Sequence, residues 1–369
     1  MPIEKVDIET FLKLTKKFPV LDVRSPGEFK QAHLPGAFSV PLFTDEQRKI
    51  IGTAYKKQSR KIAVEIGINY FSERMKFIQK ETTKIIGDNI QKIPASGSIL
   101  PHEESHMLVH CWRGGMRSET VAWLLGLYGY HIYVLKGGYK AFRRWVLKQM
   151  EKPYNFHILG GYTGSGKTEV LLEMKQRGKT VIDLEGLANH KGSSFGSLGQ
   201  AAQPSQEMFE NLLALELWNI GEEAKAETLN GDKPFNDTIW LEDESRHIGS
   251  VGFPDVFWQQ MRSGPLYFID IPFEERLHFV LEQYGSFDKQ SLTTCVLNIQ
   301  KKLGGLDTKN ALGFLEEGNT KACFEILIRY YDKLYTNGLQ KRENPPAWLN
   351  KIPCTRVDNN NALQFLKVG

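Results

Sequence analysis

Asn155-Phe156-His157-Ile158-Leu159-Gly160-Gly161-Tyr162-Thr163-Gly164-Ser165-Gly166-Lys167-Thr168 sets the fold class of this chain. An apolar run of strand length enters Gly161 to Thr168, a complete G-x-x-x-x-G-K-T, and Glu169 to Gln176 then carries apolar residues at helical spacing. Strand, glycine loop and helix in that order are the context a phosphate-binding loop requires. Gly161, Gly164, Ser165 and Gly166 let backbone N–H groups converge on a phosphate chain, Lys167 adds a point charge, and the Thr168 hydroxyl suits Mg²⁺. The motif specifies phosphates and leaves the rest of the ligand open, because a nucleoside triphosphate and any other diphosphate ester present the same oxygens.

Downstream, Thr180 to Asp183, Thr238 to Leu241 and Leu266 to Asp270 read as further strands, and after about Phe273 the pattern turns mostly helical up to Trp348. Asp183 ends its strand and competes with Glu242, Asp243 and Glu244 for an ion held through water. Leu184 to Gly196 is too rich in small polar residues, Gly, His and Lys for a core element and suits a phosphate- or nucleotide-binding loop. Within Glu244-Ser245-Arg246-His247-Ile248-Gly249, Arg246 suits a bidentate anion clamp.

Upstream, Leu108-Val109-His110-Cys111-Trp112-Arg113-Gly114-Gly115-Met116-Arg117-Ser118 places a cysteine between a short apolar strand and a helix of apolar periodicity, Glu119 to Tyr128. A glycine-containing loop at a helix N-terminus lowers a thiol's pKa and holds an anion beside it, and Arg113 and Arg117 add positive charge. The expectation is a reactive thiolate, Cys111, facing an anion cradle. Phe18 to Arg24 and Phe38 to Leu42 supply further short strands, and Ala54 to Gly67 and Tyr70 to Ile85 read as helices.

At 369 residues the chain is too long for one ordinary core, and the motifs divide it into domains at 1–150 and 151–369. Apolar and charged fractions of 41% and 24% are those of a water-soluble globular protein, and a net charge of +4 does not by itself require a polyanionic partner. Lys56-Lys57-Gln58-Ser59-Arg60-Lys61 and Arg143-Arg144 are local clusters that suit phosphates as well as a solvated helix face. Cys111, Cys295, Cys323 and Cys354 form no C-x-x-C pair, which argues against a disulfide framework and a zinc knuckle. His102-Glu103-Glu104-Ser105-His106 matches H-E-x-x-H, but Pro101 before it and a strand from Met107 leave no room for the helix that zinc binding needs. No metal-ligand set is therefore assigned. The N-terminus lacks a signal-peptide pattern and no apolar run approaches the roughly 20 residues of a membrane span, so a cytoplasmic monomer without membrane contact is expected.

Asp22-Val23-Arg24-Ser25-Pro26-Gly27-Glu28-Phe29, then Ala32-His33-Leu34-Pro35-Gly36-Ala37, then the Cys111 loop and Val134-Leu135-Lys136-Gly137-Gly138-Tyr139, resemble the rhodanese family over about residues 8–145. The resemblance implies a parallel sheet flanked by helices, with a sulfur-carrying cysteine at the carboxyl end of a strand. Two features depart from it. The loop is Cys-x5-Arg, one residue longer than in many sulfur-carrying rhodaneses, which suits an oxyanion, as in the rhodanese-like cell-cycle phosphatases, or an atom larger than sulfur. An insertion from about Thr44 to Ser98 reads as a substrate-binding elaboration.

Rhodanese and P-loop domains on one chain, with Cys111-Trp112-Arg113-Gly114-Gly115-Met116-Arg117-Ser118, Leu184 to Gly196 and Glu244 to Gly249 as quoted above, resemble the tRNA 2-selenouridine synthase family over almost the whole length. The fold implied is α/β: a rhodanese-like parallel sheet domain plus a P-loop NTPase-like parallel sheet domain with a helical C-terminal part. The activity implied has two steps on wobble 2-thiouridine of tRNA. The sulfur is S-geranylated from geranyl diphosphate, and selenium from selenophosphate, carried on Cys111, then replaces the geranylthio group. The implied small molecules are substrates rather than tightly bound cofactors, with Mg²⁺ as an accompanying ion. A prenyl pocket must exist, and Phe253 to Trp258 are candidates for it. Two alternatives stand beside this reading: a Cys-x5-Arg phosphatase, and a P-loop kinase with a non-catalytic rhodanese module.

Overall fold

The computed structural model describes residues 3–90, 106–229, 238–342 and 349–366, and the chain divides into two units, 1–148 and 149–369. The first unit runs β1 (Ile3–Val6), α1 (Ile8–Thr15), β2 (Val20–Asp22), α2 (Pro26–Gln31), β3 (Phe38–Ser39), α3 (Asp45–Lys57), α4 (Arg60–Ile90), β4 (His106–His110), α5 (Met116–Leu127), β5 (His131–Leu135) and α6 (Gly138–Met150). Its strands form a parallel sheet in the order β1-β5-β4-β2-β3. Covered on both faces, such strands lose the polar alternation of a half-exposed strand. Accordingly, Val20 and Leu21 in β2 and Met107, Leu108 and Val109 in β4 are all buried. Asp22 pairs in register with His110, so Cys111 leaves the sheet at its carboxyl edge, next to the end of β2.

The insertion is a pair of packed helices. Thr44 and Gln47 close a capping box on α3, and the Ser59 hydroxyl accepts from the Ile62 amide (3.2 Å) at the start of α4. The boundary therefore falls at Gln58–Ser59, not at the Gly67–Tyr70 gap that sequence spacing suggests. Gly67 lies inside α4, where a Cβ would only touch Phe43 and Ile51 at 3.7 and 3.9 Å. The basic cluster of Lys56, Lys57, Arg60 and Lys61 is exposed at this turn. Residues 91–98 of the expected insertion, the H-E-x-x-H positions before His106, and Trp348 lie outside the described residues.

The second unit contains β6 (Asn155–Gly161), α7 (Lys167–Gln176), α8 (Leu184–Ala188), α9 (Gln206–Leu229), β7 (Thr238–Glu242), β8 (His247–Ile248), β9 (Val251–Gly252), α10 (Asp255–Ser263), β10 (Leu266–Asp270), α11 (Phe273–Tyr284), α12 (Lys289–Leu303), α13 (Gly305–Glu316), α14 (Thr320–Gln340) and β11 (Leu349–Pro353). The parallel order β11-β10-β6-β7 puts the P-loop strand in the interior of the sheet. The strand expected at Thr180 to Asp183 contracts to one parallel bridge, Val181 to Trp240. Asp183 leaves the sheet edge to cap α8, its carboxylate accepting from the Gly186 amide at 2.7 Å. Helices α11 to α14 enclose a core of their own that includes Leu277, Val296, Phe324 and Leu327. No helix among the described residues is long and apolar enough to cross a membrane.

Candidate active sites

The P-loop lies between β6 and α7. Gly164 and Gly166 adopt φ of +81° and +70°, left-handed conformations that favour glycine. A Cβ on Gly164 would lie 2.7 Å from both the Arg276 carbonyl oxygen and Val280 Cγ2. Lys167 Nζ donates to the Gly161 carbonyl (3.1 Å), and Thr168 Oγ1 donates to Glu185 Oε2 (3.0 Å). Buried Arg276 fixes the loop from behind. Its guanidinium donates to the Thr163 carbonyl (3.0 Å) and is held by both oxygens of Asp332 (2.9 and 2.8 Å). Tyr335 from α14 completes the mount, accepting from the Gly161 amide (3.3 Å) and donating to Asp243, which also pairs with buried Arg342.

This loop opens on a cavity of about 1780 Å³. Gly161, Gly164, Ser165, Gly166, Lys167, Thr168 and Arg246 all line it, whereas Asp183 does not. Arg246 also pairs with Asp255. On one side of the cavity, Glu185, Glu242 and Glu244 place ligating oxygens within 4.8 Å of one another. Glu242 is fully buried and neither of its oxygens has a hydrogen-bond partner. Burial, reinforced by the charges of Glu185 and Glu244, pushes the Glu242 carboxyl well above the usual range. Burial likewise raises Glu185, and with the Glu185 charge it lifts Glu244 to about 8. The unpartnered Glu242 carboxylate, buried and crowded by Glu185 and Glu244, is relieved by a cation. An all-oxygen donor set beside the Thr168 hydroxyl fits Mg²⁺. Sequence position offers Asp183, Glu242, Asp243 and Glu244 for this task; the structure assembles Glu242 and Glu244 with Glu185, which follows the Asp183 cap into the cavity, and leaves Asp183 out of the cluster.

An aromatic wall faces the loop. Phe195, Tyr284 and Phe324 belong to the α11–α14 core and also border the cavity, and Phe324 meets Phe195 and Tyr284 with ring centroids 5.3 and 6.4 Å apart. Val280 joins this wall directly to the Gly164 backbone. Of the sequence candidates for a prenyl pocket, Trp258 lines the cavity, while Phe253 and Phe257 are buried in packing against Phe209 and Phe156. Sequence had no means of finding the rest, because they come from a loop and two helices far apart in the chain.

In the first unit, Cys111 is buried at the carboxyl end of β4, with Sγ 3.3 Å from Ser118 Oγ in the first turn of α5. The N-cap of α5, Gly115, has no side chain to satisfy the first-turn amides, which are left free to meet an anion. Gly114, at φ +63°, and Gly138 let this loop lie against the turn after β5, where the Tyr139 amide donates to the Cys111 carbonyl (2.8 Å). Arg24 underpins the loop. It binds Asp22 through Nε and Nη2 (2.9 and 2.6 Å) and lies 3.7 Å from the centroid of the Tyr139 ring. Burial works against the Asp22 charge, but the Arg24 guanidinium and amide, both hydrogen-bonded to it, hold its carboxyl below the ordinary value. Arg113 is exposed, and Arg117 donates to Glu28 Oε2 (2.9 Å), which Arg48 also reaches (3.0 Å).

Residues 154–352 match the family model for the tRNA 2-selenouridine synthase AAA domain, and residues 7–144 match the model for the rhodanese-like domain. The tRNA 2-selenouridine synthase of Nitrosomonas europaea is 32% identical over 89% of this chain and 91% of that protein. Those of Hydrogenovibrio crunogenus and Bdellovibrio bacteriovorus are 31% and 33% identical, again over 89% of this chain, and over 91% and 90% of their own lengths. The chain belongs to the tRNA 2-selenouridine synthase family. The two sites divide between the matched regions of the chain: the glycine loop of β6–α7 lies in the AAA region and Cys111 in the rhodanese-like region. Arg276, Asp332, Tyr335 and Arg342, which hold the cradle, also fall within the AAA match, and no spacing rule marks them in the sequence.

Proposed function

We propose that this protein converts 2-thiouridine at the wobble position of tRNA to 2-selenouridine, through an S-geranyl intermediate made in the P-loop cavity and selenium supplied at the Cys111 loop. The observation that carries the reading is the P-loop's surroundings. A diphosphate cradle continues, through Val280, into an aromatic wall, so its ligand is best matched by a diphosphate with an apolar tail.

In the first step the thiocarbonyl sulfur attacks C1 of geranyl diphosphate. The C1–O bond breaks, pyrophosphate leaves, and the base loses its N3 proton. Loop amides and Lys167 stabilise the charge that develops on the departing pyrophosphate. Glu185, Glu242 and Glu244 would hold Mg²⁺, which when bound supplies Lewis-acid neutralisation of the same oxygens. Alkylation makes C2 more electrophilic and turns the sulfur into a leaving group. Selenide then adds at C2 and the geranylthiolate departs.

The test is incubation with thiolated tRNA, geranyl diphosphate and selenophosphate, omitting each in turn, with the digested nucleosides weighed. Omission of selenophosphate should halt the reaction at S-geranyl-2-thiouridine. Cys111→Ser should block selenium insertion and spare geranylation, and Lys167→Ala should weaken geranylation. Formation of 2-selenouridine by purified Cys111→Ser protein from selenophosphate would refute the assignment. A flat salt dependence of tRNA affinity would exclude phosphate contacts by the basic cluster at the α3–α4 turn.

A further inference from the structure

We propose that Cys111 attacks phosphorus rather than selenium: the thiolate displaces selenide from selenophosphate and is transiently phosphorylated. This rests on the reading that selenophosphate is the reagent of this loop, and it changes what the cysteine carries.

Electron counting is the first reason. Selenium in selenophosphate is at the selenide level, and joining it to a thiolate as Cys–S–Se⁻ is a two-electron oxidation. The electron pair would have to go to phosphorus, releasing phosphite, or to an outside oxidant. Attack at phosphorus needs neither. The S–P bond forms while the P–Se pair leaves on selenium, which keeps the single proton of the selenophosphate dianion and departs as HSe⁻. Water then attacks phosphorus, the S–P bond breaks, and phosphate and the Cys111 thiolate are regenerated.

Loop geometry is the second. Cys111 and Arg117 bracket five residues, and the sulfur sits beside the uncapped first turn of α5. Amide donors select hard phosphoryl oxygens over a large, soft selenium atom. Seating three oxygens among those amides brings phosphorus to the sulfur and points the P–Se bond away from it, the arrangement for in-line displacement.

The third reason concerns the leaving group. Displacing a strongly basic alkoxide from phosphorus needs a general acid. The described carboxyls around the loop are committed as anions. Glu28 accepts from Arg117, Arg48 and the Ser25 amide, Asp22 from Arg24, and Glu119 in the first turn of α5 from Lys5. Although burial works against its charge, the Arg117 guanidinium keeps Glu28 below the usual carboxylate range. Selenophosphate dianion carries its own proton, so selenium leaves as the weak base HSe⁻ with no general acid from the protein, and the loop suits selenophosphate and is poorly equipped for phosphate esters.

Rapid mixing of the full-length protein with selenophosphate radiolabelled at phosphorus or at selenium, followed by a denaturing quench, should leave phosphorus on the protein and selenium in solution. Cys111→Ser protein should take up neither. Selenium on Cys111 with phosphite in solution would overturn the proposal. A rescue experiment decides the matter even where the intermediate is short-lived. Free selenide should restore 2-selenouridine formation to Cys111→Ser protein given geranylated tRNA, because the cysteine's task is then already done. If selenide serves the wild type but not the variant, selenium must travel on the cysteine and the proposal fails. If the wild type makes no 2-selenouridine from selenophosphate at all, the proposed function itself fails.

Discussion

Substituting alanine at Gly114, and separately at Gly115, sets two adjacent glycines of the cysteine loop against each other. Gly114 has φ +63°, and its Cβ would stand 2.4 Å from the Leu135 carbonyl oxygen and 2.9 Å from the amide nitrogens of Gly137 and Gly138. All three are backbone atoms, so no flexible side chain can swing aside. The left-handed conformation costs about 1–2 kcal/mol, and overpacking against fixed atoms about 1–3 kcal/mol more. The sum, roughly 2–5 kcal/mol, corresponds to a drop of roughly 5–15 °C in Tm for a unit of this size. Gly115 has φ −113° and open space where a Cβ would go, so Gly115→Ala should change stability by no more than about 0.5 kcal/mol. Denaturant titration read through hydrogen exchange at β4 and β5 isolates this unit's unfolding from that of the other. Equal protection in the two variants would refute the argument that contact between the cysteine loop and the turn after β5 holds Cys111 in place.

Arg276→Ala should destabilise the second unit by about 3 kcal/mol, because it strands Asp332, and should also weaken binding of inorganic pyrophosphate by releasing the Thr163 carbonyl; a stability change below about 1 kcal/mol in denaturant titration would contradict this. Mg²⁺ at a hundredfold excess over its Kd should stabilise the wild type by about 2.7 kcal/mol, a chelator should reverse the gain, and Glu242→Gln should remove most of it; a full response in the variant would show that the ion binds elsewhere. Burial holds buried His110 below the ordinary imidazole pKa, so the unfolded chain takes up a proton near pH 6.5 that the native state refuses. Its contribution is complete above that pH and is lost as pH falls below it, by at most about 1.4 kcal/mol per unit, and an unfolding series in which His110→Phe keeps the wild-type slope between pH 6.5 and 5 would refute the assignment.

Motifs whose function lies in contiguous backbone were legible in the sequence. The P-loop glycines, Lys167 and Thr168 lie in one contiguous turn and Cys111 opens another, so local spacing was enough to place both on strand-to-helix junctions. Glu185 was missed because helix spacing does not reveal that the Asp183 cap turns α8 toward the end of β7. The prenyl-pocket candidates at Phe253 to Trp258 divide for a similar reason: composition shows that large apolar side chains exist, but only packing decides that Trp258 lines the cavity while Phe253 and Phe257 pack against Phe209 and Phe156. Tyr335, Arg342 and the Arg276–Asp332 pair all lie more than 100 residues along the chain from the loop they mount, and only the packing of the C-terminal helices brings them there. The sequence alone determined where the chain's own turns fall, a glycine loop before α7 and a cysteine loop before α5. Tertiary structure decided which carboxylates crowd together, which rings line the cavity and which acids are locked in ion pairs, because those depend on long-range burial that no local pattern encodes.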